Sequence, residues 1–166
     1  ARAIIPDLAV TTDIIVGFPG ETNKDFEDTL ELAATAQFDS AFTFIFSPRP
    51  GTEAAELQEK FCTKEEVQGR YSRLREVIQR SGLIKHQERI GMEEEVIVEG
   101  LSKKNNDLIT GRTRQNKVIH FPAIGLPVGT VATTRVEEAT PNYLMGSLLE
   151  IVEKPRTKTR IPVVAG

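Results

Sequence analysis

Apolar and polar positions follow two rhythms along this chain, and the rhythm changes near residue 93. Before that point, "LAVTTDIIVGF" (8–18) is a β-branched run with a continuous apolar centre, as expected of a strand buried in a parallel sheet. Gly17, Pro19 and Gly20 stop it. Thr22, with Asp25 three residues on, then makes a capping-box pattern. Phe26, Leu30, Ala33 and Ala34 follow at helical spacing and predict a helix with one apolar face. "AFTFIF" (41–46) reads as the next strand, stopped by "SPRPGT" (47–52). The order strand, helix, strand is that of a parallel sheet. A long helix is predicted over 63–90, opened by Thr63 and Glu66 as a second capping box, with Val67, Tyr71, Leu74 and Ile78 on one face.

From residue 93 the period becomes two. "EEVIVEG" (94–100), "DLITGRT" (107–113), "NKVIHF" (116–121), "GTVATTRVEEA" (129–139) and "YLMGSLLEIV" (143–152) predict five short strands, separated by "SKKNND", "PAIGLP" and "TPN". Five closely spaced strands without helices predict a small antiparallel barrel, because closure removes exposed edges. The expected fold class is therefore α/β followed by all-β. Two parallel strands are too few for a closed α/β core, so the first part is expected to be either a small, irregular unit or the back end of a larger protein.

Charge sharpens this division. Residues 1–92 carry 15 acidic and 11 basic side chains, whereas 101–166 carry 10 basic and 5 acidic. A basic unit most often meets a polyanion, although the same lysines and arginines also serve as a solvated surface. No run approaches the roughly 18 uncharged apolar residues of a membrane span, so no membrane partner is expected. One cysteine in 166 residues, Cys62, rules out an internal disulfide and fits a reducing, cytoplasmic setting. Cys62 is read as a small, partly buried side chain. No metal site is expected within this chain, since clusters and structural zinc sites need several ligands together.

Candidate chemistry gathers in two places. The turns after the two parallel strands lie where such sheets hold ligands. Gly17 and Gly20 permit a tight corner, Pro19 stiffens it, and the following helix start offers N–H groups to an anion. Glu21 either compensates the helix dipole or accepts from a ligand hydroxyl or amine. Arg49, framed by prolines, suits a carboxylate or phosphate. Asp13, in an apolar strand, either bonds within the sheet or faces a substrate. In the barrel, Lys103 and Lys104 share one turn, and Arg112, Arg114, Asn116 and Lys117 bracket another, either a positive rim for a phosphate backbone or charged loops that keep a small barrel soluble. Of the two histidines, His86 reads as solvated, and His120 as a surface residue or a stacking partner for a base.

"TTDIIVGFPGETNKDFEDTLEL", "FDSAFTFIFSPRPGTEAAEL" and "GRTRQNKVIHFP" resemble, in order and spacing, three blocks of the bacterial tRNA methylthiotransferases. The resemblance runs through essentially the whole chain and is nearest to members acting on isopentenyladenosine. It implies that residues 1–92 end a radical S-adenosylmethionine (SAM) barrel, a partial TIM-like parallel barrel. Residues 93–155 would be a TRAM domain, an OB-like RNA-binding β-barrel, and 156–166 a basic tail. It implies addition of a methylthio group to C2 of isopentenyladenosine next to the anticodon, using SAM and [4Fe–4S] clusters in the full-length enzyme. It also implies SAM-binding positions at Asp13, Ile15, Gly17, Phe18, Pro19, Gly20, Glu21, Ser47 and Arg49. The partners implied are tRNA, through its anticodon stem-loop, and the missing N-terminal half of the enzyme. The cluster-binding cysteines of the family are not in this chain, so no catalytic residue is expected here and the chain alone is expected to be inactive. Two alternatives stay open: an RNA-binding TRAM module without catalysis, and a relative acting on threonylcarbamoyl-adenosine or a ribosomal protein.

Overall fold

The structure, a computed structural model, describes residues 1–123 and 125–155; the expected basic tail over 156–166 lies outside the described residues. The chain forms two units, Ala1–Arg89 with Ala139–Asn142, and Ile90–Glu138 with the chain from Tyr143 onward.

In the first unit, β1 (Thr11–Val16) pairs in parallel with β2 (Ser40–Ile45), and α1 (Asn23–Ala36) connects them. A short helix α2 (Glu53–Glu56) and a 3-10 turn (Gln58–Lys60) lead to α3 (Lys64–Gln87). Neither short element is signalled by the apolar pattern, which is irregular there. Both predicted capping boxes form: Thr22 with Asp25 opens α1, and Thr63 with Glu66 opens α3. Each box satisfies helix-start N–H groups reciprocally, so a pair of residues three apart is enough to locate the helix. The core is Val16, Phe26, Ala33, Val67, Leu74 and Ile78, contributed by β1, α1 and α3.

The expectation of a strand buried on both faces is overturned. The first strand is shorter than 8–18, and its burial alternates. Thr12, Ile14 and Val16 point toward the helices, whereas Ile15 is 52% exposed. The register places Asp13 beside Phe42 and Ile15 beside Phe44, so all four share one face. Phe42 and Phe44 on that face are 69% and 49% exposed. The helices of this unit cover only the other face, and two strands cannot curl far enough to cover their own. Among the described residues the parallel sheet of this unit has two strands and stays open.

In the second unit, β3 (Glu93–Leu101), β4 (Leu108–Thr113), β5 (Val118–Pro122), β6 (Val131–Ala139) and β7 (Leu144–Glu153) close into a barrel in the order β3-β4-β5-β7-β6. Val96, Val98, Ile109, Ile119, Phe121, Ala132, Val136 and Leu144 fill its interior, each no more than 2% exposed. The barrel is mixed rather than purely antiparallel, because β5 and β7 run parallel. Parity requires this: strand direction cannot alternate around a ring of five, so one neighbouring pair must agree. A register shift between Val98 and Gly100 marks a bulge in β3, which bends the strand around the barrel.

Candidate RNA-binding groove and candidate ligand turn

The turn after β1 is built from local rules. Glu21 N–H donates to the Phe18 carbonyl at 2.9 Å, with Pro19 and Gly20 between them and Gly20 at φ 83°. This is the geometry of a type II turn, which wants proline second and glycine third. Gly17 has φ 74°, and a Cβ added there would lie 2.6 Å from Val67 Cγ2. Glycine is needed at Gly17 both for its backbone and for the close approach of α3.

One residue that sequence reasoning missed holds this corner to α3. Arg70, its side chain 7% exposed, donates from Nη1 to Glu21 Oε2 (2.7 Å), the Glu21 carbonyl (3.0 Å) and Cys62 Sγ (3.3 Å). Its Nη2 reaches Asn23 Oδ1 at 2.9 Å. Burial pulls the guanidinium pKa down, but the Glu21 and Cys62 contacts outweigh it and leave the value raised. A buried arginine with these acceptors stays charged, held by a charge-assisted pair and two further contacts on the same turn. Nothing in the local sequence marks Arg70 among the other arginines and lysines of α3; its oxygen partners, Asn23 and Glu21, are 47 and 49 residues away.

Glu21 is therefore committed inward. Its Oε2 accepts from Arg70 and also from Gly17 N–H at 2.8 Å. Pro19 is buried, whereas Asp13, Ile15, Phe18, Gly20, Ser47 and Arg49 are exposed. A groove of about 310 Å³ opens beside the corner, lined by Gly17, Phe46, Pro48, Phe61, Cys62 and neighbouring side chains. Of the nine expected SAM positions, Gly17 lines it. Phe18, Phe46 and Phe61 form a chain of edge-to-face rings, with centroids 5.2 and 5.7 Å apart.

The barrel carries a larger groove of about 610 Å³. Its floor is the outward face of three strands: Leu108, Thr110 and Arg112 on β4, Val118 and His120 on β5, and Met145 on β7. The register sets Thr110 opposite His120, and His120 opposite Met145. Lys103, Lys104 and Asn105 wall it from the β3–β4 loop, and Tyr143 closes one side. His120 and Tyr143 meet edge to face at 5.1 Å. Thr110 Oγ1 lies 3.0 Å from His120 Nδ1. Burial, with a smaller contribution from the Lys104 charge, lowers the His120 pKa, so the imidazole is neutral at pH 7.

The six expected RNA-binding residues divide. Lys103, Lys104 and Arg112 line the groove. Arg112 is held by Glu99 (Nε to Oε1, 3.1 Å) and by the Asn116 carbonyl (3.1 Å), the latter from a turn where Asn116 has φ 60°. Arg114 is exposed outside the groove, with Glu95 at 3.7 Å. Lys117 is a correction: it is 7% exposed and does not stand on an open rim. Its backbone is tied into the turn, with N–H donating to Thr113 Oγ1 and the carbonyl accepting from Thr113 N–H. His86 is a second correction. It is 5% exposed rather than solvated, with Nδ1 2.6 Å from the Thr140 carbonyl.

Residues 87–149 match the TRAM domain family. The chain is also similar to curated proteins named tRNA-2-methylthio-N(6)-dimethylallyladenosine synthase. The one from Moorella thermoacetica is 46% identical over 149 residues, covering 90% of this chain and 33% of the relative. Those from Thermoanaerobacter sp. and Geobacillus kaustophilus are 42% and 43% identical, covering 91% and 89% of this chain and 32% and 28% of the relatives. The chain thus spans about a third of the length of the curated relatives it matches. No helix among the described residues is long and apolar enough to cross a membrane. The barrel half of the chain matches the TRAM family, and the chain over nine-tenths of its length matches the C-terminal part of the tRNA-2-methylthio-N(6)-dimethylallyladenosine synthases.

Proposed function

We propose that this chain is the substrate-binding, C-terminal part of a radical-SAM methylthiotransferase that modifies C2 of isopentenyladenosine beside the tRNA anticodon. The observation that carries the reading is the barrel groove, where Lys103 and Lys104 stand exposed above a floor holding His120. Exposed lysines on a small barrel suit a phosphate backbone, and their grouping on one loop gives that charge a direction. The names of the matched relatives support tRNA as the polyanion.

The residues of this chain do not fit a [4Fe–4S] cluster. Its one cysteine already accepts from Arg70, and no group of three His, Cys, Asp or Glu among the described residues could hold a metal. SAM fits the first unit better. Exposed Ile15 and Phe18 offer apolar surface to an adenine, exposed Arg49 offers a cation to a carboxylate, and the inward-held Glu21 keeps the corner in shape. When bound, SAM would supply the methyl group and the radical chemistry of the enzyme. Asp13 on β1 and Ser47 just after β2, both exposed, complete the proposed set. The missing N-terminal part would supply the cluster and the rest of the sheet.

Reversing charge at Lys103→Glu with Lys104→Glu is expected to weaken tRNA binding at least about tenfold near 0.1 M salt and to reduce the salt slope by about two. Unchanged affinity removes the groove from the substrate path. A second reading, an RNA-binding module without catalysis, is favoured by a barrel that closes on its own strands. Anaerobic reconstitution of the chain with iron and sulfide is expected to yield no SAM cleavage, and 5′-deoxyadenosine formation would overturn the assignment of the cluster to a missing part. Restoring SAM cleavage and tRNA modification by supplying the N-terminal part would favour the enzyme over the module.

A further inference from the structure

We infer that the barrel groove is a subsite for one unpaired nucleotide of the RNA substrate, its base resting against the His120–Tyr143 pair and its phosphates meeting Lys103 and Lys104. This rests on the tRNA-binding reading above and adds to it a demand for an unstacked base.

Three features of the groove point this way. First, its lining combines two chemistries. Lys103 and Lys104 are exposed on the β3–β4 loop, while His120 on β5, Met145 on β7 and Tyr143 just before β7 add aromatic and apolar surface. A surface that bound only a duplex backbone would have use for the cations and none for the rings. Second, the two rings meet edge to face at 65° rather than stacking on one another, and Tyr143 remains 36% exposed. A ring held at an angle and partly open suits a base, whose flat face gains as much from stacking as another aromatic side chain would. Third, the volume of about 610 Å³ lies within the range of roughly 300–1,000 Å³ typical of small-ligand sites. That leaves room for a nucleotide.

The groove also has a polar device for orientation. Thr110 Oγ1 engages His120 Nδ1, which fixes the ring and leaves Nε2 as the remaining polar edge of the imidazole. The ring is neutral at pH 7, so it contributes a stacking surface and one hydrogen-bonding nitrogen rather than a third positive charge. Arg112 is already engaged by Glu99 and Asn116 and so positions the groove wall. Phosphate contact falls to the two lysines.

The amino-acid composition provides a clean reporter. The chain has two tyrosines, Tyr71 and Tyr143, and no tryptophan. In a Tyr71→Phe variant of the whole chain, Tyr143 is the sole strong emitter. Tetraadenylate added to this variant should quench its fluorescence saturably, after inner-filter correction, whereas a 12-base-pair RNA duplex should bind without quenching. Tyr143→Ala should weaken tetraadenylate binding about tenfold or more and leave duplex binding unchanged. Tyr143→Phe should bind tetraadenylate as the parent does, which separates loss of the ring from loss of the hydroxyl. If Tyr143→Ala misfolds, as its circular dichroism would reveal, the quenching experiment and His120→Ala carry the test.

Absence of quenching, or equal loss of duplex and tetraadenylate binding in Tyr143→Ala, overturns the nucleotide subsite. The two readings fail separately. If Lys103→Glu with Lys104→Glu weakens tRNA binding while tetraadenylate leaves Tyr143 unquenched, the tRNA reading stands and the subsite falls. If tetraadenylate quenches Tyr143 but that double variant binds tRNA unchanged, the subsite stands as a nucleotide site and the tRNA reading falls.

Discussion

The two units of this chain treat their sheets in opposite ways. The barrel turns one face of every strand inward onto Val96, Ile119, Phe121 and Leu144, all fully buried. The parallel pair β1 and β2 buries one face on α1 and α3 and leaves Ile15, Phe42 and Phe44 open on the other. Five strands suffice to close a ring; two suffice only to seat a pair of helices. The difference teaches where each unit can act alone. A closed barrel presents a finished outer face, on which a groove can be a binding site. An open parallel pair presents an unfinished one, whose apolar residues imply further cover.

The largest expected contrast comes from removing one phenylalanine from each unit. Phe121→Ala should destabilise the barrel by about 3–5 kcal/mol, because it empties a fully enclosed site. Phe44→Ala, at a position 49% exposed, should change stability by no more than about 0.5 kcal/mol and should reduce self-association. Denaturant unfolding and sedimentation measure the two effects. A large loss of stability on Phe44→Ala would mean that the open face is covered in solution.

Arg70→Ala comes next, and is confined to the first unit. It leaves the Glu21 carboxylate, its side chain only 10% exposed, with the Gly17 N–H but without its counter-charge, and removes the tie between α3 and the corner. Breaking a buried pair on one side costs about 3–5 kcal/mol at the upper end, and the rim position of Glu21 should bring the loss toward about 3 kcal/mol. Hydrogen exchange should show faster amides at Gly17 and across α1, with the barrel amides unchanged. Equal loosening of the barrel would make the two units a single cooperative body.

The smallest effect is a pH dependence in the same unit. Hydrogen bonds from Thr22 hold Asp25 below its ordinary pKa, and those from Thr63 hold Glu66 below its own. A carboxylate with a depressed folded pKa contributes stability above its unfolded pKa and loses it as pH falls through the folded value. The caps should therefore weaken below about pH 4, and Asp25→Asn should blunt that fall for α1. Both carboxylates are exposed, so helical content followed by circular dichroism is the appropriate measure. An acid response identical in Asp25→Asn would assign it to other groups.

Legibility followed the range of the interaction. Thr22 with Asp25 and Thr63 with Glu66 are separated by three residues, and the pattern alone located both helix starts. The five barrel strands were equally legible, since alternation is a property of each strand by itself. Their parallel β5–β7 pair was not read from the pattern, although the parity of five already requires one such pair. Half of the candidate RNA residues came together because Lys103, Lys104 and Arg112 sit on one loop and one outward row. Lys117 did not, because a turn can bury a side chain that its sequence marks as polar.

What the sequence by itself determined is therefore local: the capped helices, the alternating strands, the type II turn of Phe18 to Glu21, and the presence of only one thiol. What only the tertiary structure decided is which distant groups meet. It brought Arg70 to Glu21 across 49 residues, set His120 against Tyr143 beside the lysine loop, and left Phe42 and Phe44 without cover among the described residues. The reason is physical. Periodicity and capping are satisfied within a few residues, whereas burial, ion pairing and the shape of a groove depend on how separate elements pack.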